Sequence, residues 1–126
     1  MMNVLEEKLL QLKDYSYQVW HYQLSHSFIT FRGEQPERKN HNVEISFADV
    51  KYFQFPLGWI GDFYLASDSE LLEIMMRAGM GNINQALPMS RIRENWQLYK
   101  ADSPHSTIYI LGHLAQIEFD VEPIYN

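Results

Sequence analysis

Apolar residues in VLEEKLLQLKD recur so that Leu5, Leu9 and Leu12 fall on one stripe, the spacing of a helix that buries a single face. Asn3 stands at the capping position and Glu6 completes an Asn-x-x-Glu variant of the capping box, so a helix is predicted over about residues 4–13. The period then shortens. Between Ser16 and Arg32, Trp20, Tyr22, Leu24 and Phe28 share one parity while Val19, Ile29 and Phe31 share the other. That pattern is two strands with a change of register near Leu24 to Ser27. Residues 33–42, GEQPERKNHN, hold no large apolar side chain and read as a surface loop. In VEISF, Val43, Ile45 and Phe47 face one way and Glu44 and Ser46 the other, a half-buried strand. Ala48 and Asp49 break the alternation, and a bulge or tight turn there resets the facing of Val50, Tyr52, Phe53 and Phe55.

PLGW, Pro56 to Trp59, is a loop signal, and IGDFYLA follows as a short strand. SDSELLEIMMRAG is the clearest helix. Ser67 and Glu70 form a capping box, Leu71, Ile74, Met75 and Ala78 make the apolar face, and Gly79 stands at the C-terminal end. MGNINQALPMS is irregular, after which RENWQLYK, SPHSTIYIL and LAQIEFDVE read as three strands separated by Asp102-Ser103-Pro104 and by Gly112-His113. Strands joined by links this short are antiparallel, and only the link through the second helix has room for a parallel crossover. The predicted architecture is α+β, a single domain over 1–126. It is a predominantly antiparallel β-sheet of about seven to eight strands, strongly curved or sandwich-like. An N-terminal helix and one helix inserted after about the fifth strand are expected to roof its apolar side.

Composition sharpens this picture. The chain has 126 residues, with 46% hydrophobic, 14% aromatic and 21% charged, the balance of a globular domain with a sheet-rich core. Ten Lys and Arg against 16 Asp and Glu leave a formal charge of -6. Phosphate binding needs a basic surface, so no nucleic acid is expected and a basic protein partner suits the field better. Cysteine is absent, which removes disulfides, thiolate zinc sites and cysteine nucleophiles. Two glutamates precede the first apolar run, unlike a secretory signal, and no run approaches the ~18 to 20 apolar residues of a membrane helix. No membrane association is expected, and the location expected is cytoplasmic.

Motifs with a stated mechanism are missing. His21, His26, His41, His105 and His113 show neither the His-Glu-x-x-His spacing nor a same-parity pair on one strand, so metal ligands are predicted as none and the imidazoles as solvated. Gly79-Met80-Gly81-Asn82-Ile83-Asn84 follows a helix, where a phosphate-binding glycine loop must follow a strand. No Gly-x-Ser-x-Gly elbow occurs, and Ser25 beside His26 is sequence adjacency rather than a triad. Carboxylate pairs such as Asp49 with Asp62, or Glu118 with Asp120, have spacings that carry no acid–base information. The chain is therefore expected not to be an enzyme and to carry no cofactor.

Two features favour binding. Gln116, Glu118, Asp120 and Glu122 alternate with Ile117, Phe119 and Val121, so the last strand shows water a row of acids suited to a basic partner. Tyr52, Phe53, Phe55 and Trp59 cannot all be buried by one sheet face. Trp59 on its Pro/Gly loop, with Tyr52 and Phe55, is then a candidate anchor for a protein or ligand, or part of a homodimer face. The leading expectation is a small acidic protein-interaction module, a regulator or immunity-type inhibitor of a basic partner. Bacterial immunity proteins that neutralise nuclease toxins are similar to it in bulk properties alone. The alternative is a small-molecule binding domain with an aromatic pocket, and a His/carboxylate hydrolase comes third.

Overall fold

The computed structural model describes residues 4–23, 25, 27–35 and 41–121. Helix α1 (Val4–Leu9) leads into β1 (Ser16–Gln23), beside which β2 (Phe28–Glu34) and then β3 (Asn42–Gln54) are laid. Two short strands follow, β4 (Gly58–Ile60) and β5 (Tyr64–Leu65), then α2 (Asp68–Arg77), α3 (Gly81–Ala86) and α4 (Met89–Asn95). The long hairpin of β6 (Gln97–Ser103) and β7 (Ser106–Phe119) completes the order. The described strands form one seven-stranded sheet, β4-β1-β2-β3-β7-β6-β5, antiparallel at every pairing. Curled into a half-barrel, it is the curved antiparallel α+β fold that the short links predict. Even the link through the helices joins antiparallel strands, β5 and β6.

Aromatic bulk on the concave side accounts for the route of the chain. Phe31 and Phe47 are fully buried, and after β3 the chain crosses above them, with Phe55 edge-on to Phe31 at 5.0 Å. Trp59 then stacks on Tyr17 at 5.5 Å as β4 pairs with β1. Gly61 (φ 152°) follows, and a Cβ there would collide with the carbonyl of Asp102 on β6, so a side chain would hold the two edges of the half-barrel apart.

The two predicted helices do not share one side. Leu5, Leu9 and Leu12 close the concave core, whereas Leu71, Ile74 and Met75 of α2 pack with Leu98 and Leu111. Leu98 and Leu111 are the parity opposite to core residues Tyr99 and Ile110, so α2 plates the convex face. Ser67 caps α2 as its spacing predicts, its Oγ accepting from the Glu70 amide at 3.3 Å. The Asn3 cap proposed for α1 lies outside the described residues. That helix stops at Leu9, short of residue 13. Its last turn tightens through Gln11 N–H to Lys8 O and Leu12 N–H to Leu9 O, and Asp14 turns the chain at φ 58°.

Other boundaries differ too. IGDFYLA is two strands at opposite sheet edges rather than one. MGNINQALPMS is largely helical: Asn84 Nδ2 donates to Leu72 O at 3.0 Å and pins α3 to α2. Arg93 to Asn95 end α4 rather than begin a strand, because Ile92 is buried in the α2 cluster and draws its turn into the helix. The two strands expected around Gly112-His113 are one continuous β7.

Candidate nucleic-acid interface

The site begins with the break at Ala48-Asp49. Ala48 pairs with His113 and Tyr52 pairs with Leu111, so Asp49, Val50 and Lys51 bulge opposite Gly112 alone. Asp49 takes the left-handed conformation at φ 49°, which aspartate tolerates better than most residues. Gly112 is required by its neighbours: a Cβ there would lie 3.0 Å from Ala48 O and 3.1 Å from Val50 Cα. Val50 N–H then reaches Ser27 O at 3.0 Å, which ties the bulge to the β1–β2 turn.

This tie brings together two stretches far apart in sequence. Tyr22 lies opposite Ile29 and Phe53 opposite Ile110, both on the core-facing side. There the two rings meet at 5.6 Å and 66°. They remain 42% and 45% exposed. Tyr22, Ser27, Val50, Lys51, Tyr52 and Phe53 line an open groove of about 310 Å³. Lys51 Nζ sits 2.8 Å from Asp49 Oδ1, and His113 Nε2 lies 3.7 Å from the other carboxylate oxygen. All three are about half exposed, so the Lys51–Asp49 ion pair is weak and Lys51 is free to exchange Asp49 for another anion. On the helical side, Arg77 is held more firmly protonated than usual by its hydrogen bond to Tyr52 and then by Glu73. Exposed aromatic faces beside a lysine suit unpaired bases on a phosphate backbone.

The sequence-predicted binding residues do not converge here. Tyr52 lines the groove, but Phe55 is half-buried against Phe31. Trp59 is 5% exposed, with Nε1 donating to Gly61 O at 2.9 Å. The anchor reading of Trp59 is thereby corrected, since the core already uses its ring and its N–H. Glu118 is exposed and accepts from Gln116. Asp120 stands 3.2 Å from His41, and Glu122 lies outside the described residues. His21 and His105 are exposed on separate hairpins, and His26 lies outside the described residues. Among the described residues no group of three or more His, Cys, Asp or Glu is placed to hold a metal. Asp62, paired on paper with Asp49, instead accepts from Asp14 N–H at 2.7 Å and Tyr17 Oη at 2.8 Å, a structural post. Sequence reading missed Tyr22, Lys51 and Phe53 as a unit. The signal available was parity: the bulge adds two residues to β3 and so does not reset the facing as expected, and Phe53 keeps the side of Val43, Ile45 and Phe47.

A family model described as CRISPR associated protein Cas6, C-terminal, matches residues 8–86, more than half of the chain and all six residues lining the groove. The chain belongs to the Cas6 C-terminal family. No curated protein and no solved structure matches it. The Cas6 family is a CRISPR-associated RNA-processing family whose domains bind CRISPR RNA, and Cas6 proteins are usually RNA endonucleases.

Membership overturns the expected acidic protein-interaction module, with its immunity-type inhibitor role and basic protein partner, and equally the small-molecule binder. It also overturns the exclusion of nucleic acid. The physical error was to let a whole-chain charge of -6 stand for one local surface, when stacking needs no net positive charge. The expectation that the chain is not an enzyme has no support in a Cas6 family member. No helix among the described residues is long and apolar enough to cross a membrane.

Proposed function

We propose that this Cas6-family domain captures single-stranded segments of CRISPR RNA in the groove at the β3 bulge. Bases stack against the exposed faces of Tyr22 and Phe53, and Lys51 exchanges Asp49 for a backbone phosphate. The observation that carries this reading is the meeting of two half-exposed rings from distant segments beside a lysine, in a region matched by an RNA-processing family. A protein gains little stability by leaving two aromatic rings nearly half in water, whereas each is a platform any base can use.

Fluorescence anisotropy with a labelled single-stranded RNA, and with the same strand annealed to its complement, tests the proposal. Tight binding of the single strand and weaker binding of the duplex are expected. Tyr22→Ala and Phe53→Ala should each weaken single-strand binding by about 1–3 kcal/mol, the usual loss for one stacked base. Affinities within twofold of the unaltered chain for both variants, at unchanged thermal stability, would remove the groove from consideration.

A further inference from the structure

A second aromatic platform stands on the other side of the same strand. Between Val19 and His21 the β1–β2 register slips, so that Gln18 faces Arg32, His21 faces Thr30, and Trp20 is the additional residue of a bulge. Bulges re-aim side chains, and here the indole is turned onto the Arg32 guanidinium, 4.9 Å from the ring centroid. Arg32 is 3% exposed. Glu44 accepts from it at 3.4 Å, Glu34 stands 3.7 Å from its Nε, and that Nε has no hydrogen-bond partner. A buried guanidinium with an unmet donor is an expensive arrangement. It gives the indole a seat on one side, while Trp20 remains 48% exposed.

The strand edge connects this ring to the groove. β4 covers only Ser16 to Gln18 of β1, and Val19 N–H is taken by Leu57 O. Past that point, among the described residues, no strand pairs with Trp20 to Gln23 on the side away from β2. Trp20 emerges on the face of Arg32 and Tyr22 on the face of Ile29. Two residues of strand put their Cα atoms about 7 Å apart.

We infer that Trp20 is a second base-stacking site, and that one RNA strand turns around the open edge of β1 to place bases on Trp20 and in the Tyr22–Phe53 groove. This rests on the RNA reading above and adds a site to it. The ligand group at Trp20 is the nucleobase rather than the phosphate, because Glu34 and Glu44 already offset the charge of Arg32. Arg32 is a positioning residue that holds the ring.

The test measures anisotropy for single-stranded RNAs of increasing length across a salt series. With an octanucleotide, Trp20→Ala should weaken binding roughly tenfold or more, within the range for one stacked base, leaving the salt slope unchanged because no phosphate contact is lost. With a dinucleotide, which fills the groove alone, the same variant should bind within twofold of the unaltered chain. Because Trp20→Ala also uncovers Arg32, a readout on the unaltered chain accompanies it: the octanucleotide should shield Trp20, the most exposed tryptophan, from acrylamide quenching and the dinucleotide should not. Tyr22→Ala weakening the octanucleotide while Trp20→Ala does not, with quenching unaffected, would overturn the second site and leave the groove standing. Absence of RNA binding by the unaltered chain would overturn both.

Discussion

Trp59 shows how one residue changes meaning between sequence and structure. Its Pro/Gly neighbourhood suggests an exposed anchor, yet its ring stacks on Tyr17 and stands edge-on to Phe31 and Phe63. No local pattern announces this, because the partners come from β1, β2 and the β4–β5 link. Trp59→Ala leaves a cavity among these rings and an unmet Gly61 carbonyl, and should cost about 3–5 kcal/mol. Urea unfolding checks the loss. RNA affinity, measured at low temperature where the variant is folded, should stay near that of the unaltered chain, the reverse of what an anchor would show. Gly112 carries the opposite lesson: read as a strand break beside His113, it is the residue that lets β7 pass the bulge of β3. What it answers lies far back in the sequence, between Ala48 and Val50, where only the register reveals it.

At the scale of elements, α2 was legible because its instructions are local: a serine cap, a glutamate three residues on and an apolar stripe. Its docking was not. Glu70 receives Lys100 Nζ at 2.6 Å and Tyr109 Oη at 3.0 Å, so one first-turn carboxylate fastens the helix to both β6 and β7. The Lys100 bond, aided by Tyr109 and against some desolvation, holds Glu70 below the usual carboxylate range. Lys100 is raised above its ordinary range, chiefly by Glu70. A lowered carboxylate contributes stability that is complete above its unfolded pKa, about 4.3, and is lost as pH falls through the folded value. For a raised lysine the contribution is complete below about 10.5 and disappears as pH rises through the folded value. Glu70→Gln should therefore cost on the order of 1 kcal/mol, modest because the pair is partly solvated. Urea unfolding from pH 3 to 8 should show that gap constant near neutrality and closing below about pH 4. A gap independent of pH would mean that packing, not charge, seats the helix.

Taken as a whole molecule, the chain poses the question its charge first closed, which is how a polypeptide of -6 would bind RNA as proposed. The hairpin of residues 16–32, the bulge near Asp49 and the curved antiparallel sheet could all be read from alternation and short links. The groove could not, since it exists only where the β1–β2 turn meets the β3 bulge. Charge acts at two ranges. The net field repels RNA over about a Debye length, 10 Å at 0.1 M salt, and lowers the rate of encounter. In the proposed complex affinity comes from contact, where stacked rings need no charge and one lysine would meet the phosphate. Counterion release then makes a specific demand. With Lys51 as the principal phosphate contact, log K against log salt should have a slope near -0.7 per phosphate for a single strand. That is far shallower than for a basic RNA-binding surface. Lys51→Ala should reduce the slope by about 0.7, while Tyr22→Ala should lower affinity and leave the slope alone. Anisotropy titrations from 50 to 300 mM salt measure both. A steep slope insensitive to Lys51 would place the phosphate contacts elsewhere on the chain, and with them the principal RNA path.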